Sequence, residues 1–196
     1  MHYALIDPSQ PIHWTVDGFL SDSECSALVE RIEAAGPELA PITTSRGPRF
    51  DLDARNNARV MFDDAELAAR LFERARLHVP ESLKGMRPVG LNERFRCYRY
   101  EPGQQFGPHY DGAFVRDATE RSLLTLMVYL NDDFAGGVTA FLELGRIVAP
   151  SKGRALFFQH PTLHQGCTVL RGTKYVIRSD VMYRMPARPE AAPPSR

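Results

Sequence analysis

Residues 94–100 read RFRCYRY and residues 122–130 read SLLTLMVYL. Both are strand-like runs, and they are followed by VTAFL, RIVAP, RALFFQ, GCTVL and TKYVIRSDVMY before Tyr183. From about residue 93 the hydrophobic period is two, which is the period of a half-buried strand. The separators EPGQ, FAGG, PSKG and LRG supply the Pro and Gly that strand reversals need. The pattern predicts an all-β sandwich or barrel over residues 93–184.

The preceding half reads differently. Ser21 with Glu24, and Asp63 with Glu66, have capping-box spacing, and each opens an apolar stripe of helical period. The first helix places Cys25, Leu28, Val29 and Ile32 on one face and stops at Gly36; the second uses Leu67, Leu71 and Ala75 and stops at Pro80. Residues 1–92 are therefore predicted to give helical support to the sheet. Between the helices, residues 41–60 are polar and turn-rich, longer than an ordinary connection, and are expected to act as a substrate lid. Arg55, Asn57 and Arg59 are its candidate substrate contacts. The Pro- and Ala-rich tail, residues 185–196, is expected to be disordered.

Composition limits the function classes. The chain has 196 residues, with 24 basic residues balancing 24 acidic ones, so no long-range field gathers nucleic acid or an anionic membrane. A local cation can still hold a small anion. Three cysteines at wide spacing make neither a disulfide framework nor a zinc ribbon, and are read as buried thiols of a cytoplasmic protein. No apolar run approaches a membrane span, and no leader pattern opens the chain.

Chemistry concentrates at HYDGAF, residues 109–114. In a strand, residues i and i+2 share a face, so His109 and Asp111 can aim a nitrogen and an oxygen at one point. An HxD tripeptide alone is a weak signal and needs a third ligand from elsewhere. His164 opens another predicted strand 53 residues after Asp111. Two histidines and one carboxylate form a facial triad with open coordination positions, suited to non-haem iron(II). The same ligand types also make catalytic zinc sites. His160 competes with His164 but precedes Pro161 and is expected in a turn.

The stretches RCYRYEPGQQFGPHYDG, SLLTLMVYLNDDFAGGVTAF and HQGCTVLRGTKYVIRSDVMY resemble the 2-oxoglutarate- and iron(II)-dependent dioxygenases, specifically their prolyl 4-hydroxylase-like branch. The resemblance covers about residues 94–184, and the triad, Gly136-Gly137-x-Thr139 and Lys174 occur in the family's order. It implies a double-stranded β-helix of jelly-roll or cupin-like type within one domain, residues 1–184. It also implies Fe(II), 2-oxoglutarate and O2 as cofactors and cosubstrates, with ascorbate as an accessory reductant. The implied reaction hydroxylates an unactivated C–H bond and releases succinate and CO2.

Lys174, ten positions after His164, matches the basic residue that holds the distal 2-oxoglutarate carboxylate; Tyr100 and Tyr129 match tyrosines of the same pocket. Arg178 shares a strand face with Lys174, and its planar fork is an alternative anchor. The branch points to a prolyl residue in a peptide or protein, while Val138 after the Gly pair departs from the family pattern and leaves a small-molecule substrate open. A metal-binding cupin-like module without turnover and a zinc-dependent hydrolase are the rival readings. The sequence does not specify an oligomeric state.

Overall fold

The structure is a computed structural model and describes residues 6–186 except Ser45. In chain order its elements are β1 (His13–Val16), α1 (Asp22–Ala34), β2 (Glu38–Leu39), β3 (Ile42–Thr44), β4 (Gly47–Arg49), β5 (Ala58–Asp63), α2 (Ala65–Ala75), β6 (Arg87–Leu91) and β7 (Arg94–Tyr100). There follow β8 (Phe106–His109), β9 (Glu120–Tyr129), β10 (Ala135–Gly136), β11 (Thr139–Phe141), β12 (Arg146–Val148), β13 (Ala155–Gln159), β14 (His164–Gly166), β15 (Val169–Arg171) and β16 (Lys174–Arg184).

A major sheet runs β1-β13-β9-β16-β7-β5-β2, with β6 also paired to β16; a minor sheet runs β12-β11-β14-β8. The pairings are antiparallel. This is the double-stranded β-helix that the strand pattern and the resemblance predict. The central strands of the major sheet are buried on both faces, so SLLTLMVYL lacks a clean polar alternation. Its period-two order still decides which side chain goes where. Leu124, Leu126 and Val128 join Phe95, Cys97, Phe157 and Ile177 in a core that includes Leu28, Ile32, Leu67 and Leu71 of the helices. On the opposite face Tyr98, Tyr100, Tyr129, Leu156, Phe158 and Val176 form a second core with Phe141 of the minor sheet. The chamber bordered by His109, Asp111 and His164 lies on that second side.

The helices hold the first face in place. At α1 the Ser21 hydroxyl accepts from the Glu24 amide and the Glu24 carboxylate accepts from the Ser21 amide, as expected. At α2 the cap is Asp64, whose carboxylate accepts from Leu67, one residue later than the sequence pattern suggests. Asp63 belongs to β5 instead and its carboxylate pairs with Arg94. The helix ends at Ala75, short of Pro80, and a turn completes the connection.

Three expectations need correction. Residues 1–92 are more than helical support, because β1, β5 and β6 are strands of the major sheet. Residues 41–60 are not one loop: among the described residues β3 and β4 pair only with each other, whereas β5 is hydrogen-bonded along β7. Cys25 and Cys97 are buried, but Cys167 is partly exposed. Of the tail, Met185 and Pro186 carry no regular structure, and residues 187–196 lie outside the described residues.

The turn between β4 and β5 is stitched to β8. The Gly107 amide donates to the Ala54 carbonyl at 2.7 Å, the Gln105 amide to Asn56 Oδ1 at 2.7 Å, and Arg55 bridges Phe106. A Cβ on Gly107 would stand 3.0 Å from the Ala54 carbonyl oxygen, which explains a glycine within this strand.

Limited trypsin digestion checks this division. The β3–β4 hairpin pairs only with itself, and such a two-stranded unit is marginal alone. Cleavage after exposed Arg46 or Arg49 should precede cleavage after Arg55 or Arg59. First cuts at Arg55 or Arg59 would contradict the stitched turn.

Candidate active site

The minor sheet brings the triad together. In the β14–β8 register His164 lies opposite His109, so two residues distant in sequence become cross-strand neighbours. Asp111 sits just beyond β8, outside any strand, and FGPH forms the strand itself. The His109 Nε2 is 3.8 Å from Asp111 Oδ1, and the His164 Nε2 is 3.7 Å from Asp111 Oδ2. One ligand atom from each residue lies within 4.8 Å of the others, a separation that a single small cation can bridge.

The backbone selects the tautomer at both imidazoles. His109 Nδ1 is 2.8 Å from the Gly107 carbonyl, and His164 Nδ1 is 2.9 Å from the Thr162 carbonyl. A carbonyl only accepts, so each Nδ1 carries the proton and each Nε2 lone pair faces Asp111. Burial, reinforced by His164, pushes the His109 imidazolium down to about 3; burial likewise lowers His164. Both rings are neutral near pH 7, the form that ligates a metal.

Asp111 is the anionic member and is itself held. Burial opposes its charge, but Arg178 with the two imidazoles overcomes that opposition and keeps it below the usual carboxylate range. Arg178 Nη1 lies 3.0 Å from Asp111 Oδ1 and Nη2 lies 3.0 Å from Asp180 Oδ1, so one guanidinium spans two buried carboxylates. The Thr125 hydroxyl donates to Asp111 Oδ2 at 2.7 Å, and Arg96 pairs with Asp180 at 3.3 Å. His160, the rival ligand, lies behind this network, with Nε2 3.3 Å from Thr125 Oγ1.

Lys174 lies farther along β16. It is almost fully buried, donates to the Gly137 carbonyl at 2.6 Å, and stands over the rings of Tyr100 and Tyr129 at 5.1 and 5.4 Å. Burial pulls its ammonium down to about 8. The Tyr129 hydroxyl bonds Thr139 at 2.7 Å. Gly136 and Gly137 both have left-handed φ, and a Cβ on Gly136 would approach the Thr168 carbonyl at 2.5 Å; this geometry explains the glycine pair. Tyr100, Thr125, Met127, Thr139, Phe158 and Val176 join the triad, Lys174 and Arg178 around one chamber. Its free space of about 30 Å³ opens toward a cleft of about 440 Å³ bordered by His109, Asp111, Arg55 and Arg59.

Residues 95–179 match the model of the 2OG-Fe(II) oxygenase superfamily. Over this segment the chain is similar to the 2OG-Fe(II) oxygenases. The relatives it resembles are prolyl 4-hydroxylases. Over 104 residues it is 34% identical to the cattle (Bos taurus) prolyl 4-hydroxylase subunit alpha-1, covering 45% of this chain and 20% of the relative. The chain thus spans about a fifth of that curated relative's length. A probable prolyl 4-hydroxylase 6 of Arabidopsis thaliana is 26% identical over 220 residues, covering 87% of this chain and 71% of the relative. Among solved structures, the viral collagen prolyl hydroxylase of Paramecium bursaria Chlorella virus-1, in complex with 2OG, matches with TM-score 0.66 and 27% identity. That match covers 90% of this chain and 98% of the viral one. The Pseudomonas putida prolyl-4-hydroxylase, at 19% identity and TM-score 0.65, shares the fold and covers 95% of this chain and 100% of its own.

The structure thus unites His109, Asp111, His164, Tyr100, Lys174 and Arg178 around one chamber, with Tyr129 packed behind Lys174. Asn57 is fully buried, and its amide oxygen accepts from Arg55 Nε at 2.8 Å, so it positions Arg55 from outside the cleft. Asp180 and Arg96 were not singled out in sequence, although the i, i+2 spacing of Arg178 and Asp180 was a usable signal.

The two-carboxylate grip of Arg178 is testable by thermal unfolding. Arg178→Met leaves Asp111 and Asp180 facing each other with less counter-charge and should cost about 3–5 kcal/mol. Arg178→Lys should recover only part, because an ammonium lacks the planar fork. Unchanged stability in Arg178→Met would show that the network contributes nothing to the fold.

Proposed function

We propose that this chain is an Fe(II)- and 2-oxoglutarate-dependent hydroxylase acting on a peptide or protein substrate, with a prolyl C–H bond as the target. The observation that carries the reading is the pairing of a convergent His109–Asp111–His164 face with a buried Lys174 in the same chamber. Neutral Nε2 donors and one carboxylate fit iron(II) and leave its remaining positions open. With iron(II), 2-oxoglutarate and O2 bound, the site would supply the oxidising power for C–H hydroxylation, with succinate and CO2 released.

The chain's own residues have separate tasks. His109, Asp111 and His164 would hold the metal; the Gly107 and Thr162 carbonyls fix the two rings, and Thr125 and Arg178 orient the carboxylate. Lys174 receives the distal carboxylate of 2-oxoglutarate in a setting where an unpaired buried anion would cost several kcal/mol. Tyr100, Phe158 and Val176 wall the chamber and exclude water. Free space of about 30 Å³ is close to one water's requirement, so a bound 2-oxoglutarate would require Lys174 to give up its Gly137 contact and Met127, an adaptable side chain, to shift aside. Arg178 is committed to Asp111 and Asp180, which favours Lys174 as the anchor. The buried lysine also favours this reading over a zinc hydrolase or a turnover-free module, neither of which needs it.

Relatives named as prolyl hydroxylases, among them the viral collagen prolyl hydroxylase, support the peptide substrate. The free thiols of Cys25, Cys97 and Cys167 fit a reducing, cytoplasmic setting.

Metal content and cosubstrate titration test the assignment. Purified chain should hold one iron(II), and His109→Ala, His164→Ala or Asp111→Ala should each abolish binding; full iron in the His164 variant would overturn the triad. In anaerobic titrations of the iron-loaded chain, followed by the metal-to-ligand charge-transfer band, Lys174→Ala should weaken 2-oxoglutarate by roughly 2–5 kcal/mol while iron affinity survives.

The pH dependence has a definite sign. Below about 8 the ammonium is already charged and affinity is flat; above it, binding requires proton uptake. Affinity should then fall about tenfold per pH unit until the bound-state pKa is passed. Normal affinity in Lys174→Ala, or a pH-independent constant through pH 9, would remove Lys174 from the cosubstrate site.

A further inference from the structure

The outer cleft has a charge pattern that metal and cosubstrate binding leave unexplained. Four arginines, Arg55, Arg59, Arg96 and Arg178, line it. Arg178 and Arg96 are neutralised by Asp111 and Asp180. Arg55 and Arg59 form no ion pair with any described carboxylate, and Glu38, the register partner of Arg59 on β2, does not reach it. Two guanidinium charges therefore face the cleft without a counter-ion.

Arg55 is built into position. It is only 4% exposed, and its Nε is fixed by Asn57. Its guanidinium carbon lies 4.8 Å from the Tyr98 ring centre and 4.1 Å from that of Phe106. Those contacts satisfy the guanidinium by cation–π attraction, but Nη2 is buried with no hydrogen-bond partner. Leaving such a donor unmet is costly. Arg59 is half-buried nearby; burial, and then the proximity of Arg55 and Arg96, disfavour its charge, a repulsion that an anion would relieve. The Phe106 ring that contacts Arg55 also stacks on His109 at 3.5 Å, so the free guanidinium edge lies within two ring-stacking distances of the metal site.

Resting on the hydroxylase reading above, we propose that the substrate carries a carboxylate close to the carbon that is hydroxylated, and that Arg55 and Arg59 bind it. A planar fork with a free Nη matches a carboxylate, and the aromatic contacts set its plane before binding. The carboxylate belongs either to the C-terminus of a peptide or to an acidic side chain next to the target residue. This requirement separates the chain from a hydroxylase that takes neutral internal prolyl segments. Asn57 acts as a positioning residue for Arg55.

Isothermal titration of the full chain, with Mn(II) and 2-oxoglutarate under anaerobic conditions and again without them, provides the test. The probes are matched short peptides: a prolyl peptide with a free C-terminus, the same peptide amidated, a neutral prolyl peptide with one Glu beside the proline, and proline-free versions of each. Carboxylate-bearing peptides should bind roughly tenfold or more tightly than their neutral partners, and the gap should close in Arg59→Gln and in Arg55→Gln. Arg59→Gln keeps the test valid if loss of buried Arg55 unfolds the chain. The free-terminus and Glu peptides tell the two carboxylate sources apart, and a gap for either one supports the proposal.

Equal affinity across each matched pair, or a gap that survives in Arg59→Gln, overturns it. If anionic proline-free peptides bind through these arginines while prolyl ones show no advantage, the carboxylate site stands and the prolyl assignment falls. If neutral prolyl peptides bind as well as anionic ones, the prolyl assignment stands and the carboxylate site falls. Binding by no peptide overturns both.

Discussion

Everything at the site depends on β16 being held on both sides. It pairs with β9 along one edge and with β7 and β6 along the other, so its register cannot slip without breaking two ladders. Period-two geometry then directs Val176 into the second core while Lys174 and Arg178 border the same chamber. At about 3.3 Å per residue, Lys174 and Arg178 stand roughly 13 Å apart along that row. One cation is thereby aimed at the chamber and the other at the metal-site carboxylate. The strand works as a ruler, and its calibration comes from backbone hydrogen bonds, not from the charged side chains it carries.

Burying those charges has a cost that the surrounding chemistry must offset. Asp111, Asp180, His160 and His164 are buried together, and the Arg178 side chain among them is only 12% exposed. An isolated charge there would be untenable, so the region is organised as a chain of partners: Thr125 and Arg178 on Asp111, Arg178 and Arg96 on Asp180. Such networks rigidify only when nearly every member is satisfied. The open ends of this one, Arg178 Nε and His160 Nδ1, are few.

How much could be read from the sequence follows from the range of the interactions. Strands, the α1 cap and the HxD spacing are local patterns, and they were legible. His164 and Lys174 became legible through family-like spacing from one another. The β5 strand was missed because ARVMFD carries arginine and aspartate on a thinly covered outer part of the sheet, where apolar alternation is weak. The fixed turn at 51–57 was missed because its hydrogen bonds go to Gln105 and Gly107, about fifty positions away. Asp64 displaced Asp63 as a helix cap because Asp63 belongs to a strand and pairs with Arg94, a tertiary claim that no window of local sequence contains. Arg178 was read as a ligand-binding cation because sequence cannot show that two carboxylates already occupy its fork.

The contrast between the self-contained β3–β4 hairpin and the stitched turn after it bears on how such a chain can diversify. Among the described residues β3 and β4 pair with no other strand, so the length and composition of this hairpin are free to drift or be exchanged between related chains. Residues 54–57 cannot drift in the same way, because Gly107 leaves no room and β8 would be displaced along with His109. The outer rim can thus change apart from the centre, whereas Arg55 and Arg59 travel with the stitched turn and β5, so a graft of the hairpin alone would reshape the cleft mouth at Ile42 and leave the cleft arginines and the chemistry in place.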